Sequence, residues 1–181
     1  MKLNLNPVYH AFWGLLILGL AACQTAASPL TDSEKTAVYG TAIQQVITVD
    51  DTFGGTLNPP VVYIINQTDD SVGDPDTEQL PPEMLSPQMQ NEITASLSNL
   101  EAKVVWVNGR ADVTIDPGSG ALVDEGVLVT LGNIHPQEDG SLLLPTSIYI
   151  AGLAAGGQTY ILERVNGQWE ITGTTGVRWI S

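Results

Sequence analysis

Two segments of the chain carry apolar residues at the spacing of a helix face. The first starts at a capping box, with Thr31 followed by Glu34 three positions later, and predicts a helix from about Asp32 to Val49. The second starts with Ser86 as a cap and Pro87 at the first helical position. Its apolar stripe consists of Met89, Ile93, Leu97 and Leu100.

Shorter apolar runs between and after these helices predict strands. The β-branched run Val61–Ile65 is continuous, which is typical of a central strand buried on both faces. Lys103–Val107 predicts a further strand. It ends at Asn108-Gly109, a dipeptide that favours a tight hairpin into Ala111–Ile115.

The C-terminal third, from Gly126 onward, predicts an antiparallel meander. The expected strands are Val127–Leu131, Ser147–Ala155, Gln158–Val165, Gln168–Gly173 and Gly176–Ile180. The expected turns are Asp139-Gly140, Gly156-Gly157 and Asn166-Gly167. Because the helices come early and the strands late, we expect an α+β fold, with two helices packed on a mainly antiparallel sheet that ends in a β-meander.

A two-residue turn at Asn166-Gly167 fixes which side chains meet across the last hairpin. It places Arg164 opposite Trp169 and Glu163 opposite Glu170. Like charges opposed across a ladder are mildly destabilising. The preferred interpretation is that the two glutamates point into water, and the alternative is a cation site or a basic partner.

A tight turn at Gly156-Gly157 would place Tyr149 opposite Arg164. The arginine would then lie between two aromatic rings, where its stem packs and its guanidinium stacks. This packing role is favoured over the alternative, an arginine that receives an anionic ligand. The same register predicts a core-facing set made of Tyr149, Leu153, Tyr160, Leu162, Trp169 and Ile171.

The N-terminal segment has the pattern of an export signal. Lys2 is followed by an apolar run of about ten residues, Ala11–Leu20, which is too short to span a membrane. The run ends in Leu20-Ala21-Ala22-Cys23, which resembles the lipobox of bacterial lipoproteins. The resemblance implies cleavage before Cys23 and lipid attachment to its thiol. It also implies a protein on the extracytoplasmic side, at the outer membrane of a two-membrane cell because Gln24 replaces aspartate, and otherwise on the outer face of the cell membrane.

This interpretation divides the chain into a signal peptide at 1–22, a tether at 23–31 and a single α+β domain at 32–181. Removing 22 of 181 residues leaves 159, enough for one domain with its own core. Cys23 is the only cysteine, so no disulfide is expected within the chain.

The charge of the chain limits its partners. Twenty acidic and six basic side chains give a formal net charge of −14. The signal peptide contains Lys2 and no acid, so its removal changes this charge to −15. Such a protein is not expected to bind nucleic acid, whose phosphates select basic surfaces. The expected partners are a membrane, through the lipid, and an envelope protein or small ligand.

Candidate chemistry in the domain is sparse, which favours a non-catalytic binding or accessory module. His135 is the only histidine outside the signal peptide, and no nucleophile motif accompanies it. Because the domain has one histidine and no free thiol, we expect no zinc site and no other cofactor. The alternatives are a small pocket hydrolase that uses His135 with Asp50 or Asp51, and calcium-dependent adhesion through the acidic loop 69–78.

The segment Tyr160–Ile171 has an aromatic residue, a charged pair, Asn-Gly, and a tryptophan followed by an alternating strand. It resembles the closing hairpin of nuclear-transport-factor-2-like and other small secreted α+β domains. The resemblance implies a cone-shaped sheet with a pocket, and it carries over no catalytic residues.

Overall fold

The computed structural model of the chain describes residues 29–50 and 57–181. Across these residues, a pair of helices, α1 (Asp32–Thr48) and α2 (Pro87–Ser96), packs on a seven-stranded sheet. The strands are β1 (Val61–Ile65), β2 (Lys103–Val107), β3 (Val127–Leu131), β4 (His135–Pro136), β5 (Leu142–Ala151), β6 (Ala154–Val165) and β7 (Gln168–Ile180). The predicted α+β class is confirmed. Neither described helix is long and apolar enough to cross a membrane.

The sheet combines parallel and antiparallel pairs, in the order β2-β1-β3-β5-β6-β7, with the short β4 paired to β5. The strand β1 is parallel to both of its neighbours, β2 and β3. All other pairs among the described strands are antiparallel. The prediction that Val61–Ile65 is a central strand is confirmed, because another strand flanks it on each side.

Both helices begin where the sequence predicts. The side chain of Thr31 accepts a hydrogen bond from the Glu34 amide, and the Glu34 carboxylate accepts one from the Thr31 amide. The hydroxyl of Ser86 accepts a hydrogen bond from the Met89 amide at 3.2 Å, with Pro87 at the first helical position. These contacts satisfy amides that have no partner inside their own helix.

Apolar side chains cover both faces of the sheet. The larger core lies between the helices and the sheet, and its fully buried members include Ile43, Ile64, Ile93, Val129, Leu144 and Leu162. A smaller cluster on the opposite face contains Val107, Val113, Leu122 and Leu128. Val113 and Leu122 lie in the segment that connects β2 to β3, so this connection covers the second face of the sheet.

The predicted hairpin at Asn108-Gly109 is wrong. After β2 the chain forms a single 3₁₀ turn, Arg110–Asp112, and the Asn108 amide donates to the carboxylate of Asp112 at 2.8 Å. The parallel pairing of β2 with β1 explains the difference. The next strand, β3, lies on the far side of β1, so the chain crosses the sheet face to reach it.

The predicted turn at Gly156-Gly157 is also wrong, since both glycines lie inside β6. The chain turns instead at Gly152-Leu153, and the Leu153 side chain, predicted to face the core, is 92% exposed. A Cβ atom at Gly157 would overlap the carbonyl oxygen of Val72. Glycine is therefore required here for a close approach of two backbones, not for a turn.

The turn at Asn166-Gly167 is confirmed, with positive φ angles of 52° and 85°. It places Arg164 opposite Trp169 and the exposed Glu163 opposite the exposed Glu170, as predicted. The last two predicted strands form one continuous strand, β7. Extra residues in β7 cause two bulges, at Thr172 and at Thr175–Val177.

We expect Gly157→Ala to lower the free energy of unfolding by about 1–3 kcal/mol, because the new methyl group forces the Val72 backbone away. Gly173→Ala in β7 is the matched control, since a Cβ there meets nothing within 4 Å. Urea denaturation of both variants measures the difference. Equal stability of the two variants would contradict this account of Gly157.

Candidate functional site

The acidic loop between β1 and α2 is fixed to the sheet by one buried carboxylate. Asp70, in the 3₁₀ turn Asp70–Val72, is only 3% exposed. Its Oδ1 accepts a hydrogen bond from the Asn133 amide at 2.6 Å. Its Oδ2 accepts one from the Leu80 amide at 2.8 Å and one from Nδ2 of Asn133 at 3.0 Å. Three N–H groups thus replace the water that this carboxylate would bind in the unfolded chain.

His135 in β4 is buried beside this carboxylate. Its Nε2 lies 3.2 Å from Oδ2 of Asp70, but no acceptor among the described residues has hydrogen-bonding geometry to it. Burial alone would raise the pKa of Asp70. The hydrogen bonds from Asn133 and Leu80, with His135 nearby, outweigh burial and hold that pKa below its usual value.

A second set of contacts ties the base of the loop to the same cluster. The hydroxyl of Thr68 donates to Oδ1 of Asn133 at 2.8 Å and accepts from the Glu83 amide at 2.7 Å. Gly132 gives the room for this packing, because a Cβ there would lie 2.7 Å from Oδ1 of Asp70 and 2.6 Å from Cβ of Pro145. The loop is therefore held at both its base and its 3₁₀ turn.

An open cavity of about 390 Å³ lies beside His135. We call it the acidic cavity, and it is lined by Asp76, Thr77, Glu78, Leu80, His135, Pro136, Gln137 and Leu143. Its loop residues follow β1, and His135 follows β3. Since β1 and β3 are parallel neighbours, the cavity lies near the carboxyl ends of parallel strands, where α/β sheets commonly bind ligands.

The structure does not bring His135 together with Asp50, one of the two aspartates predicted as its partners. Asp50 lines a different, very small cavity, where it accepts hydrogen bonds from the Tyr160 hydroxyl, at 2.9 Å, and from Nε2 of Gln158. Burial, and then the charge of Asp50, raise the pKa of Tyr160. Asp51 lies outside the described residues, as does Cys23.

Arg164 packs on an aromatic ring as predicted, but only on Trp169 and not on Tyr149. Its guanidinium lies 4.7 Å from the centre of the Trp169 ring and pairs with Glu34. Tyr149 instead packs under Arg110, at 4.0 Å, because it lies opposite Ala155 in the sheet. Arg164 thus joins the last hairpin to the start of α1.

Beside this contact lies a cavity of about 340 Å³, which we call the tether groove. Pro29, Leu30 and Thr31, the first described residues, form one side of it, and Leu142 and Trp169 contribute to the other. The Thr31 backbone amide, then the Thr31 hydroxyl, lower the pKa of Glu34 against a small effect of burial, and Arg164 lowers it further. The groove is therefore bordered by a carboxylate that stays charged.

Two carboxylates of the acidic loop 69–78 stabilise the turns of the loop itself. Asp69 accepts from the amide and hydroxyl of Ser71, at 2.9 and 2.6 Å, and Asp74 accepts from the Asp76 amide at 2.9 Å. Across the described ranges, no group of three or more histidine, cysteine or acidic side chains is placed to hold a metal ion.

Comparisons with models of known protein families, with curated proteins and with solved structures found no match. The resemblances of Leu20–Cys23 to a lipobox and of Tyr160–Ile171 to a closing hairpin therefore remain predictions.

We expect Asp70→Asn to lower the free energy of unfolding by about 3 kcal/mol or more, because an amide nitrogen would face buried N–H donors. Asp76→Asn changes the same charge at an exposed position and should cost less than about 0.5 kcal/mol. Urea denaturation at neutral pH measures both. A small effect at Asp70 would show that the carboxylate does not fasten the loop.

The stability that wild type gains over Asp70→Asn is expected to depend on pH. The pKa of Asp70 is lower in the folded chain than its ordinary value of 3.8. Its contribution to stability is therefore complete above that value and is lost as pH falls through the folded pKa. We expect the stability difference between wild type and Asp70→Asn to shrink between about pH 5 and about pH 2. Denaturation at several pH values checks this, and a constant difference would contradict it.

Proposed function

We propose that this protein is a lipid-anchored binding or accessory module on the extracytoplasmic side of a membrane. The observation that carries the proposal is Leu20-Ala21-Ala22-Cys23 at the end of a short apolar run. A thiol at this position can receive a diacylglycerol, and stable attachment to a bilayer requires two or more acyl chains.

The start of the fold supports an anchor at Cys23. The first helix is capped by Thr31, so only residues 24–30 separate the cysteine from the domain. Seven residues span at most about 25 Å when fully extended. Such a tether keeps the domain near the bilayer without burying the domain in it, which suits an acidic body that does not bind anionic lipid headgroups.

The chemistry of the described residues supports binding more than turnover. The carboxylate beside His135 is occupied by N–H donors from Asn133 and Leu80, which fasten a loop. No hydroxyl or thiol of the described residues donates to Nε2 of His135, so no nucleophile is activated there. The acidic cavity and the tether groove both have the size of binding sites for side chains or small molecules.

We expect Cys23→Ala to move the protein from the membrane fraction to the soluble fraction, because the alanine has no thiol to receive lipid. Thr25→Ala, two residues beyond in the tether, is the control and should stay with the membrane. Partition of cell extracts between detergent and aqueous phases measures the effect. If Cys23→Ala still enters the detergent phase, or if the native thiol carries no lipid by mass spectrometry, the anchor is wrong.

A further inference from the structure

The tether groove has mostly apolar walls. Leu30, Pro136, Leu142 and Trp169 contribute to these walls. The groove is open to solvent, and its volume of about 340 Å³ lies within the usual range of ligand pockets, about 300–1,000 Å³. An apolar group that covers such a surface removes it from water, which is favourable.

The uncharged polar side chains of the groove already have partners inside the protein. The hydroxyl of Ser141 donates to the Asp139 carboxylate at 2.7 Å. Nε2 of Gln137 donates to the His135 carbonyl oxygen at 3.0 Å. The indole Nε1 of Trp169 has no partner among the described residues, but it is inaccessible to solvent and therefore to a ligand. A polar ligand would have to compete with these internal hydrogen bonds, whereas an apolar ligand leaves them intact.

The two charged side chains of the groove neutralise each other. Arg164 pairs with Glu34 and stacks on the Trp169 ring. The hydroxyl of Thr31 donates to the same glutamate at 2.8 Å. The groove therefore has no net charge, although the chain as a whole carries −14. A neutral occupant can lie in it without separating the ion pair.

The groove lies where the proposed tether joins the domain. Pro29 and Leu30, the first described residues, line it, and residues 24–28 separate them from Cys23. Six residue steps from Cys23 to Pro29 span at most about 21 Å. A lipid on Cys23 can therefore reach the groove. A short flexible linker holds such a group at an effective concentration of about 1 mM, so even weak binding fills the site.

An acyl chain is the most apolar group that this tether can bring to the groove. Residues 24–28 read Gln-Thr-Ala-Ala-Ser and are small or polar. By contrast, each acyl methylene group that leaves water tightens binding by about four-fold. A bilayer can cover the whole acyl chain and the groove only part of it, so the groove is occupied when no bilayer is available.

We propose that the tether groove binds one acyl chain of the protein's own Cys23 lipid while that chain is outside a bilayer. The inference rests on the proposed function, because it requires lipid on Cys23. The apolar walls cover part of the acyl chain, and the neutral pair of Arg164 and Glu34 borders it. Insertion into a membrane then transfers the acyl chain from the groove to the bilayer.

The test uses the native protein from cells that are fed palmitate with a diazirine in mid-chain, so that the anchor itself is photoreactive. Ultraviolet light expels nitrogen from the diazirine, and the resulting carbene inserts into a neighbouring C–H bond. Mass spectrometry of peptides then locates the link. In dilute detergent-free buffer we expect links within one molecule to residues 29–31, 136–142 and 169. In phosphatidylcholine vesicles these links should fall by about five-fold or more, because the bilayer competes for the acyl chain.

Variants of the wall distinguish the groove from other apolar surface. Leu30→Asp places a carboxylate against the acyl chain and should lower the yield of groove links by about ten-fold. Leu153→Asp is the matched control, since this leucine is 92% exposed and lies outside the groove, and its yield should be unchanged. Pro136→Glu, at an exposed position of the wall, should also lower the yield and does not touch the start of α1. Circular dichroism checks that each variant is folded.

Three results would overturn the proposal. Links that fall mainly on exposed apolar residues elsewhere, such as Leu153 or Val123, would show that the acyl chain adheres without a site. Links mainly between two copies would assign the groove to a neighbour's lipid. Equal yields from Leu30→Asp and Leu153→Asp would show that the groove wall is not involved.

The anchor and the groove can fail separately. Mass spectrometry of the native protein shows whether Cys23 carries lipid. Absence of lipid would overturn both the proposed function and this inference. Lipid on Cys23 without links to the groove in detergent-free buffer would reject this inference alone.

Discussion

The arrangement of the whole loop-bearing edge of the domain depends on one buried charge. An ionised carboxylate in an apolar interior is costly unless donors surround it. Asp70 meets this requirement with three N–H groups, two of them from Asn133, which follows the parallel strand next to its own. Val72, at the end of the same 3₁₀ turn, accepts a hydrogen bond from Nε1 of Trp179 at its carbonyl, at 2.9 Å. The same carboxylate thus helps to position the end of the last strand.

This constraint also shapes the candidate site. The loop that Asp70 fastens carries Asp76 and Glu78, so Asp70 also holds one side of the acidic cavity next to β4 and β5. Long loops without helices or strands are usually either mobile or functional. Here the loop is pinned at its base and at its 3₁₀ turn, while its acidic stretch stays exposed. The fastened loop therefore holds the carboxylates of Asp76 and Glu78 at the surface.

The sequence predicted features whose causes are local. The capping box at Thr31 and the Asn166-Gly167 turn depend on neighbouring residues, and both are confirmed. The predicted turn at Gly156-Gly157 is wrong. Glycine occurs both in turns and where two backbones approach closely, and only the fold distinguishes these two uses. The burial of Asp70 depends on Asn133, 63 positions away. The only sequence signal for this contact is that Asp70 and Asn133 each lie just after a strand. That signal is useful only once β1 and β3 are known to be parallel neighbours.

The two bulges in β7 affect whether neighbouring copies of the protein can pair edge to edge. This strand is thirteen residues long and forms one edge of the sheet, so its outer backbone groups would otherwise recruit the edge of an adjacent molecule. Extra residues at Thr172 and Thr175–Val177 interrupt the regular ladder and discourage such stacking. The proposed lipid anchor would confine the protein to two dimensions, where copies encounter one another far more often than in solution. Irregularity along this edge would keep densely distributed copies from joining into fibrils.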